Sequence, residues 1–248
     1  MATQARSSVD PEEVAKFDRL AADWWSPTGS MKPLHKLNPP RLRYIRERIA
    51  AHFGGETGGL DGLKGLEIVD VGCGAGLVCE PLARLGAAVT GLDAATASIE
   101  VARLHAVRSD LAIDYRDTPA EAVLAGPERF DVVLALEVVE HVVEPAAFLA
   151  TCAGLLKPGG LLIVSTINRT MKAYALAIVA AEQVLRWLPR GTHQWDKFVT
   201  PEEIEQALRP AGLTPVDCVG LIYHPLFDEW RTGRDTDVNY IAAYARQA

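Results

Sequence analysis

The 248-residue sequence predicts an α/β fold, Rossmann-like, with a mostly parallel seven-stranded sheet and helices on both faces. Three observations predict it. Short apolar, β-branched runs alternate with helical stretches of about 10–15 residues. A glycine-rich turn follows the first strand signal, where such sheets hold their ligands. Hydrophobic residues make up 49% of the chain and charged residues 23%, which supports one substantial core and excludes wholesale disorder.

The elements follow in chain order. From Val14 to Trp25 and from Pro40 to Phe53 apolar residues recur at helical spacing, so two helices flank the turn-rich stretch SPTGSMKPLHKLNPP. The segment GGETGGLDGLKG marks a linker. Residues 1–60 are therefore expected as an amino-terminal helical lid and linker, and residues 61–248 as the main domain. Five strand runs come next: LEIVDVG, AAVTGLD, LAIDYRD, FDVVLAL and GGLLIVSTIN. Between them LVCEPLARLG, ATASIEVARLHAVRS and EPAAFLATCAGLLKPGG read as helices, the last stopped at Pro158. An inserted amphipathic segment, 170–197, precedes a helix opening at Thr200-Pro201 and two closing strands around Leu213 to Ile222 and Val238 to Ala245.

Charge and cysteine usage narrow the function. Lys plus Arg number 25 against 32 Asp plus Glu, a net charge of −7, which argues against a surface built for nucleic acid. Cys73, Cys79, Cys152 and Cys218 form no C-x-x-C pair and are too sparse for a disulfide framework, so a reducing, cytoplasmic setting is expected. The amino terminus shows no apolar secretion segment. The longest apolar run, Ala173 to Ala181, falls short of the roughly 20 residues that span a bilayer.

The first candidate site is Asp70-Val71-Gly72-Cys73-Gly74-Ala75-Gly76, a tight turn opening a helix. Its glycines are spaced G-x-G-x-G. A nicotinamide fingerprint would put the third glycine one place later, where Leu77 stands. The spacing resembles motif I of class I S-adenosylmethionine (SAM) methyltransferases, although a glycine loop also serves as a mere structural turn. Asp93 ends the second strand, where a carboxylate accepts both ribose hydroxyls, and nicotinamide enzymes use the same position. Asp117 has two readings, a partner for the adenine amino group and a helix cap before Pro119.

More than these elements matches. The block from Trp24-Trp25 through KPLHKLNPPRLRYI, then LALEVVEHV, STINRT, LPRGTHQWDKF and Asp237-Val238-Asn239-Tyr240, resembles the ubiquinone-biosynthesis O-methyltransferase family along nearly the entire chain. The resemblance implies a SAM-dependent enzyme that methylates phenolic hydroxyls of polyprenylated intermediates, both 3-demethylubiquinol and 2-polyprenyl-6-hydroxyphenol. It implies cofactor contacts from Arg41, Gly72, Asp93 and Leu136; Gly74 and Gly76 join them through the glycine motif, and Asp117 through its position after the third strand where it is not a cap. For Arg41 the chemistry agrees, since a guanidinium clamps a carboxylate with paired hydrogen bonds, while its neighbours Arg43, Arg46 and Arg48 fit a solvated helix face. The rivals are a methyltransferase of another small phenol and a SAM-binding scaffold in a quinone-biosynthesis assembly.

Methyl transfer needs an aligned and electron-rich oxygen, and a phenol with pKa near ~10 is about one-thousandth ionised at pH 7. Glu137, Glu140 and His141 follow the fourth strand and admit three readings. They ligate a Mg2+-like ion that chelates a catechol; His141 is the general base, oriented by a glutamate; or the carboxylates merely favour a helix start while His141 packs on the sheet. The segment 170–190 is locally basic, with Trp187 near its end, and is expected either to lie on a membrane surface as a peripheral contact on the inner face or to serve as a core helix or dimer contact.

Overall fold

The computed structural model describes residues 8–29, 31–55, 59, 61–176 and 194–247. Strands β1 (Glu67–Val71), β2 (Ala88–Asp93), β3 (Asp114–Asp117), β4 (Phe130–Leu136) and β5 (Leu156–Ile167) run parallel. β6 (Leu213–His224), β7 (Glu229–Gly233) and β8 (Asn239–Arg246) complete the sheet with antiparallel pairings. The order is β3-β2-β1-β4-β5-β8-β6-β7. The chain leaves β1 toward β2 and β3, then returns to lay β4 on the other side of β1. That reversal opens a crevice at the carboxyl ends of β1 and β4.

Both faces of the sheet are covered, which is why its strands read as unbroken apolar runs. Alternation sorts them: Ile68, Val132, Leu134 and Leu136 face one core, while Val69, Val71, Val133 and Ala135 face the other. The first core is closed by α2 (Lys32–Phe53), α3 (Cys79–Arg84) and α4 (Thr96–Arg108); the second by α5 (Ala120–Leu124), α6 (Pro145–Gly154) and α8 (Pro201–Leu208).

Several boundaries differ from the sequence reading, each for a physical reason. The sheet has eight strands among the described residues, not seven. The extra strand, β7, pairs with Gly220–His224 through a four-residue turn, and its run EWRTG is too polar to signal a strand. α2 begins at Lys32 and carries Pro39 and Pro40 inside it. Each proline removes a backbone donor, but Leu37, Tyr44, Ile45 and Ile49 seat the helix in the first core, and packing overrides the turn composition. The helix expected up to Pro158 ends at Gly154, because Leu156 already pairs with Phe130 in the sheet.

The expected lid of residues 1–60 therefore divides. α2 is part of the core. α1 (Pro11–Leu20), capped by the Asp10 carboxylate on the Glu12 N–H at 3.0 Å, lies over the crevice. Asp18 accepts the Ala97 N–H at the start of α4, 3.0 Å, and Ser8 is held by Glu121 and Val143. Of the inserted segment, α7 (Met171–Ala173), the turn of chain to residue 176 and residues 194–197 are described; Trp187 and His193 lie outside the described residues.

The sheet edges are charged. On β3, Arg116 pairs with Asp114 at 2.6 Å and with Glu128 at 2.5 Å; on β7, Arg231 pairs with Glu229. Helix α8 opens at the expected Thr200-Pro201 with a reciprocal cap, Thr200 Oγ1 accepting the Glu203 N–H at 3.3 Å and Glu203 Oε2 accepting the Thr200 N–H at 2.9 Å. Thr200→Ala is expected to lower unfolding free energy by about 1 kcal/mol, measured by urea denaturation.

Candidate active site

The crevice holds a cavity of about 760 Å³. Its floor is the glycine loop. The Gly72 and Cys73 N–H groups donate to the Leu92 carbonyl at 2.7 and 3.0 Å, pinning the loop to β2. Asp93, at the end of β2, accepts the Gly74 N–H at 2.7 Å and the Ala95 N–H at 2.8 Å. Burial pushes its carboxyl upward against those two donors. Gly74 has φ +53, and a Cβ there would enter the Trp24 ring. Gly76 has φ +86 and plays another part: a Cβ would strike the Tyr115 hydroxyl. Gly72, Gly74 and Asp93 line the cavity, whereas Gly76 packs behind the loop.

Arg41, 4% exposed, lines the same cavity from α2. Asn38 holds it: Asn38 Nδ2 donates to the Leu77 carbonyl at 2.8 Å while Asn38 Oδ1 accepts an Arg41 Nη2 proton at 2.9 Å. Arg41 Nε has no hydrogen-bond partner. Burial draws the arginine pKa down, opposed by the charges of Glu137 and Asp70. Asp70 itself is pushed up to about 7 by burial, against a hydrogen bond from Cys79 Sγ at 3.4 Å and the nearby Arg41 charge. A buried cation with an unsatisfied donor suits an incoming carboxylate.

At the end of β4, Leu136 lines the cavity, and just past it Glu137 sits at φ +55, an uncommon conformation for a residue with a Cβ. Ser165 fixes Glu137 twice: its hydroxyl donates to Oε1 at 2.8 Å and its carbonyl accepts the Glu137 N–H at 2.9 Å. Glu140 is buried and accepts the Thr166 hydroxyl at 2.7 Å. Burial, with the Glu137 charge, pushes it up to about 7. His141 turns elsewhere. Its Nδ1 is 2.9 Å from Glu13 Oε2 on α1, and its ring meets Phe17 edge-on at 5.3 Å. That contact with His141 holds the Glu13 carboxyl down at about 2.

Besides Gly76, which packs behind the loop and does not line the cavity, two expectations differ from this geometry. Asp117 neither lines the cavity nor caps a helix; its carboxylate accepts the Thr96 hydroxyl at 2.7 Å and ties β3 to α4. Glu137, Glu140 and His141 do not converge as a metal triad, because Ser165, Thr166 and Glu13 draw them apart. Among the described residues no three potential ligands form a group that could hold a metal ion. Two residues escaped the sequence reading. Glu13 carries no motif and reaches the site only because α1 crosses it. Trp24 was visible in the W-W pair, but not its seat on Gly74.

The fold and the site together define the class I SAM-dependent methyltransferases. Structures sharing this fold include the magnesium protoporphyrin IX methyltransferase of Synechocystis PCC 6803 with bound SAH (TM-score 0.65, 18% identity, 94% of each chain). A possible histamine N-methyltransferase of Thermotoga maritima is also similar (TM-score 0.59, 18% identity, 93% of this chain and 98% of that one). A family profile described as "Methyltransferase domain" matches residues 36–217. The ubiquinone biosynthesis O-methyltransferases of Brucella anthropi and Chelativorans sp. are 54% and 55% identical, over 100% and 95% of this chain and 100% and 93% of theirs. The chain belongs to the ubiquinone biosynthesis O-methyltransferase family.

Glu140 gives a signed test. A carboxyl raised by folding opposes stability above its unfolded value, so the cost is full above about pH 7 and fades as pH falls toward 4. Glu140→Gln keeps an acceptor for Thr166. The unfolding midpoint should rise at pH 8, by about 2–4 °C per kcal/mol recovered, and the gain should vanish near pH 4 in thermal scans.

Proposed function

We propose that this chain transfers a methyl group from SAM to a phenolic hydroxyl of polyprenylated catechol intermediates, 3-demethylubiquinol and 2-polyprenyl-6-hydroxyphenol. The observation that carries the reading is the pairing, within one cavity, of an anion site and a held histidine. Arg41 would receive the cofactor's carboxylate, Asp93 its ribose hydroxyls, and Gly72 and Gly74 would let it approach the backbone. When bound, SAM supplies an electrophilic methyl on sulfur.

The remaining work falls to the protein. With Nδ1 engaged by Glu13, His141 has Nε2 to accept the phenol proton. The anionic Glu13 then stabilises the imidazolium. α1 acts as the lid, since Glu13, Lys16 and Phe17 line the cavity and the helix is fastened at both ends. Water is thereby kept from the phenolate.

A peripheral membrane contact through residues 170–190 is the second element of this reading. Met171 is 72% exposed and Leu176 49% exposed where the segment begins, and no helix of the described residues is long and apolar enough to cross a membrane. Its removal should abolish co-sedimentation with vesicles; persistent binding would place the contact elsewhere.

Labelled SAM and a catechol panel test the main reading. Arg41→Ala should raise the SAM Kd roughly ten- to a hundredfold by calorimetry, as loss of a charge-assisted hydrogen bond costs about 1.5–3 kcal/mol. Glu13→Gln should lower kcat about ten- to a hundredfold with little change in cofactor Kd. Turnover that survives excess EDTA supports the His141 base; turnover abolished by EDTA and restored by Mg2+ overturns it.

A further inference from the structure

We propose that the β6–β7 hairpin forms a subsite for the isoprenoid tail of the acceptor, leading from the methyl-transfer cavity to the exposed hairpin tip. The proposal rests on the reading above, in which the acceptor is a prenylated phenol. A ring positioned near Leu136 and His141 must send its attached chain out of the cavity by an apolar path. The walls differ in continuity. Toward α1 the apolar Val14, Phe17 and Leu20 are interrupted by Asp10, Glu13 and Lys16, and toward α7 Leu176 stands among Lys172 and Asp235, charges that do not suit hydrocarbon. Along the hairpin and α2 the lining is Leu34, Leu221, Ile222, Tyr223, Pro225 and Trp230.

The apolar wall does not end at the cavity mouth. Pro225 is followed by Leu226, 93% exposed, and Phe227, 67% exposed. Single exposed apolar residues are ordinary, but an adjacent pair continuing a cavity wall is a docking surface of the kind ligand sites use.

The tip is also held firmly. The Phe227 N–H donates to the His224 carbonyl at 3.1 Å, and Asp228 takes φ +52 to close the turn. The Tyr223 hydroxyl donates to Asp228 Oδ1 at 2.6 Å, and Lys36 pairs with Asp228, fastening the hairpin to α2. The Arg231 guanidinium lies 5.5 Å from the centre of the Phe227 ring. A fixed apolar ledge spends little ordering entropy on a flexible chain laid against it.

The test compares two acceptors with the same catechol head, one without a tail and one carrying three prenyl units, as submicellar solutions. The wild-type protein should prefer the prenylated acceptor in kcat/KM. Leu226→Asp and Phe227→Asp should each reduce that preference about tenfold through KM, since each puts a charge where the tail would otherwise cover an exposed apolar side chain. A preference left intact, or an equal loss on both acceptors, overturns the subsite. So does a wild-type protein indifferent to the tail while methylating both heads. Failure to methylate either head counts against the parent reading instead. Vesicle binding is measured on the same variants: loss of binding with the tail preference retained makes the tip a membrane anchor and overturns the subsite. The residues are exposed, and an unchanged unfolding midpoint shows that the variants fold.

Discussion

The site depends on the clamp that Asp93 makes between two backbone segments. One oxygen takes the Gly74 N–H of the glycine loop and the other the Ala95 N–H just before α4. This contact joins the end of β2 to the turn after β1 and sets the loop at the point where strand order reverses. Everything above the loop inherits that placement. Trp24 rests on Gly74, α1 continues from Trp24's turn across the crevice, and Glu13 on α1 meets His141. The carboxylate is costly to bury, and two charge-assisted hydrogen bonds offset part of that cost.

Charge is concentrated at this crevice with unusual economy of partners. Asp70, Arg41 and Glu140 come from three separate elements and share one poorly solvated space. Burial acts on these three in the same direction, toward the neutral form. Arg41 stays the obligate cation, since a guanidinium holds its proton far more tenaciously than any neighbouring acid.

How much of this was written in the residues varies with the kind of signal. Parallel strands announced themselves because both faces are buried, and the glycine loop because its turn demands spacing. Thr200-Pro201 marked a helix start through capping chemistry alone. β7 stayed silent, since a short charged edge strand is specified by its partner, not by its own pattern. Pro39 and Pro40 pointed to a loop because local rules cannot see the core that α2 enters. At the site, Arg41, Gly72, Gly74, Asp93 and Leu136, residues to which the family and motif resemblances pointed, lie on one cavity. Asp117 followed the same rule of position yet faces away, toward Thr96. Glu13 had no chance of being read, for it is brought in by a crossing helix more than a hundred residues away in sequence from His141.

The charged rims of the sheet have a consequence for strand-to-strand association. An eight-stranded sheet has two unpaired borders, and open backbone at such a border invites a foreign strand to add itself. Here one border is only four residues long and the other five, and each is studded with arginine–carboxylate pairs that a docking strand would have to strip of water. The backbone at these borders is thereby kept from becoming a template for clumping.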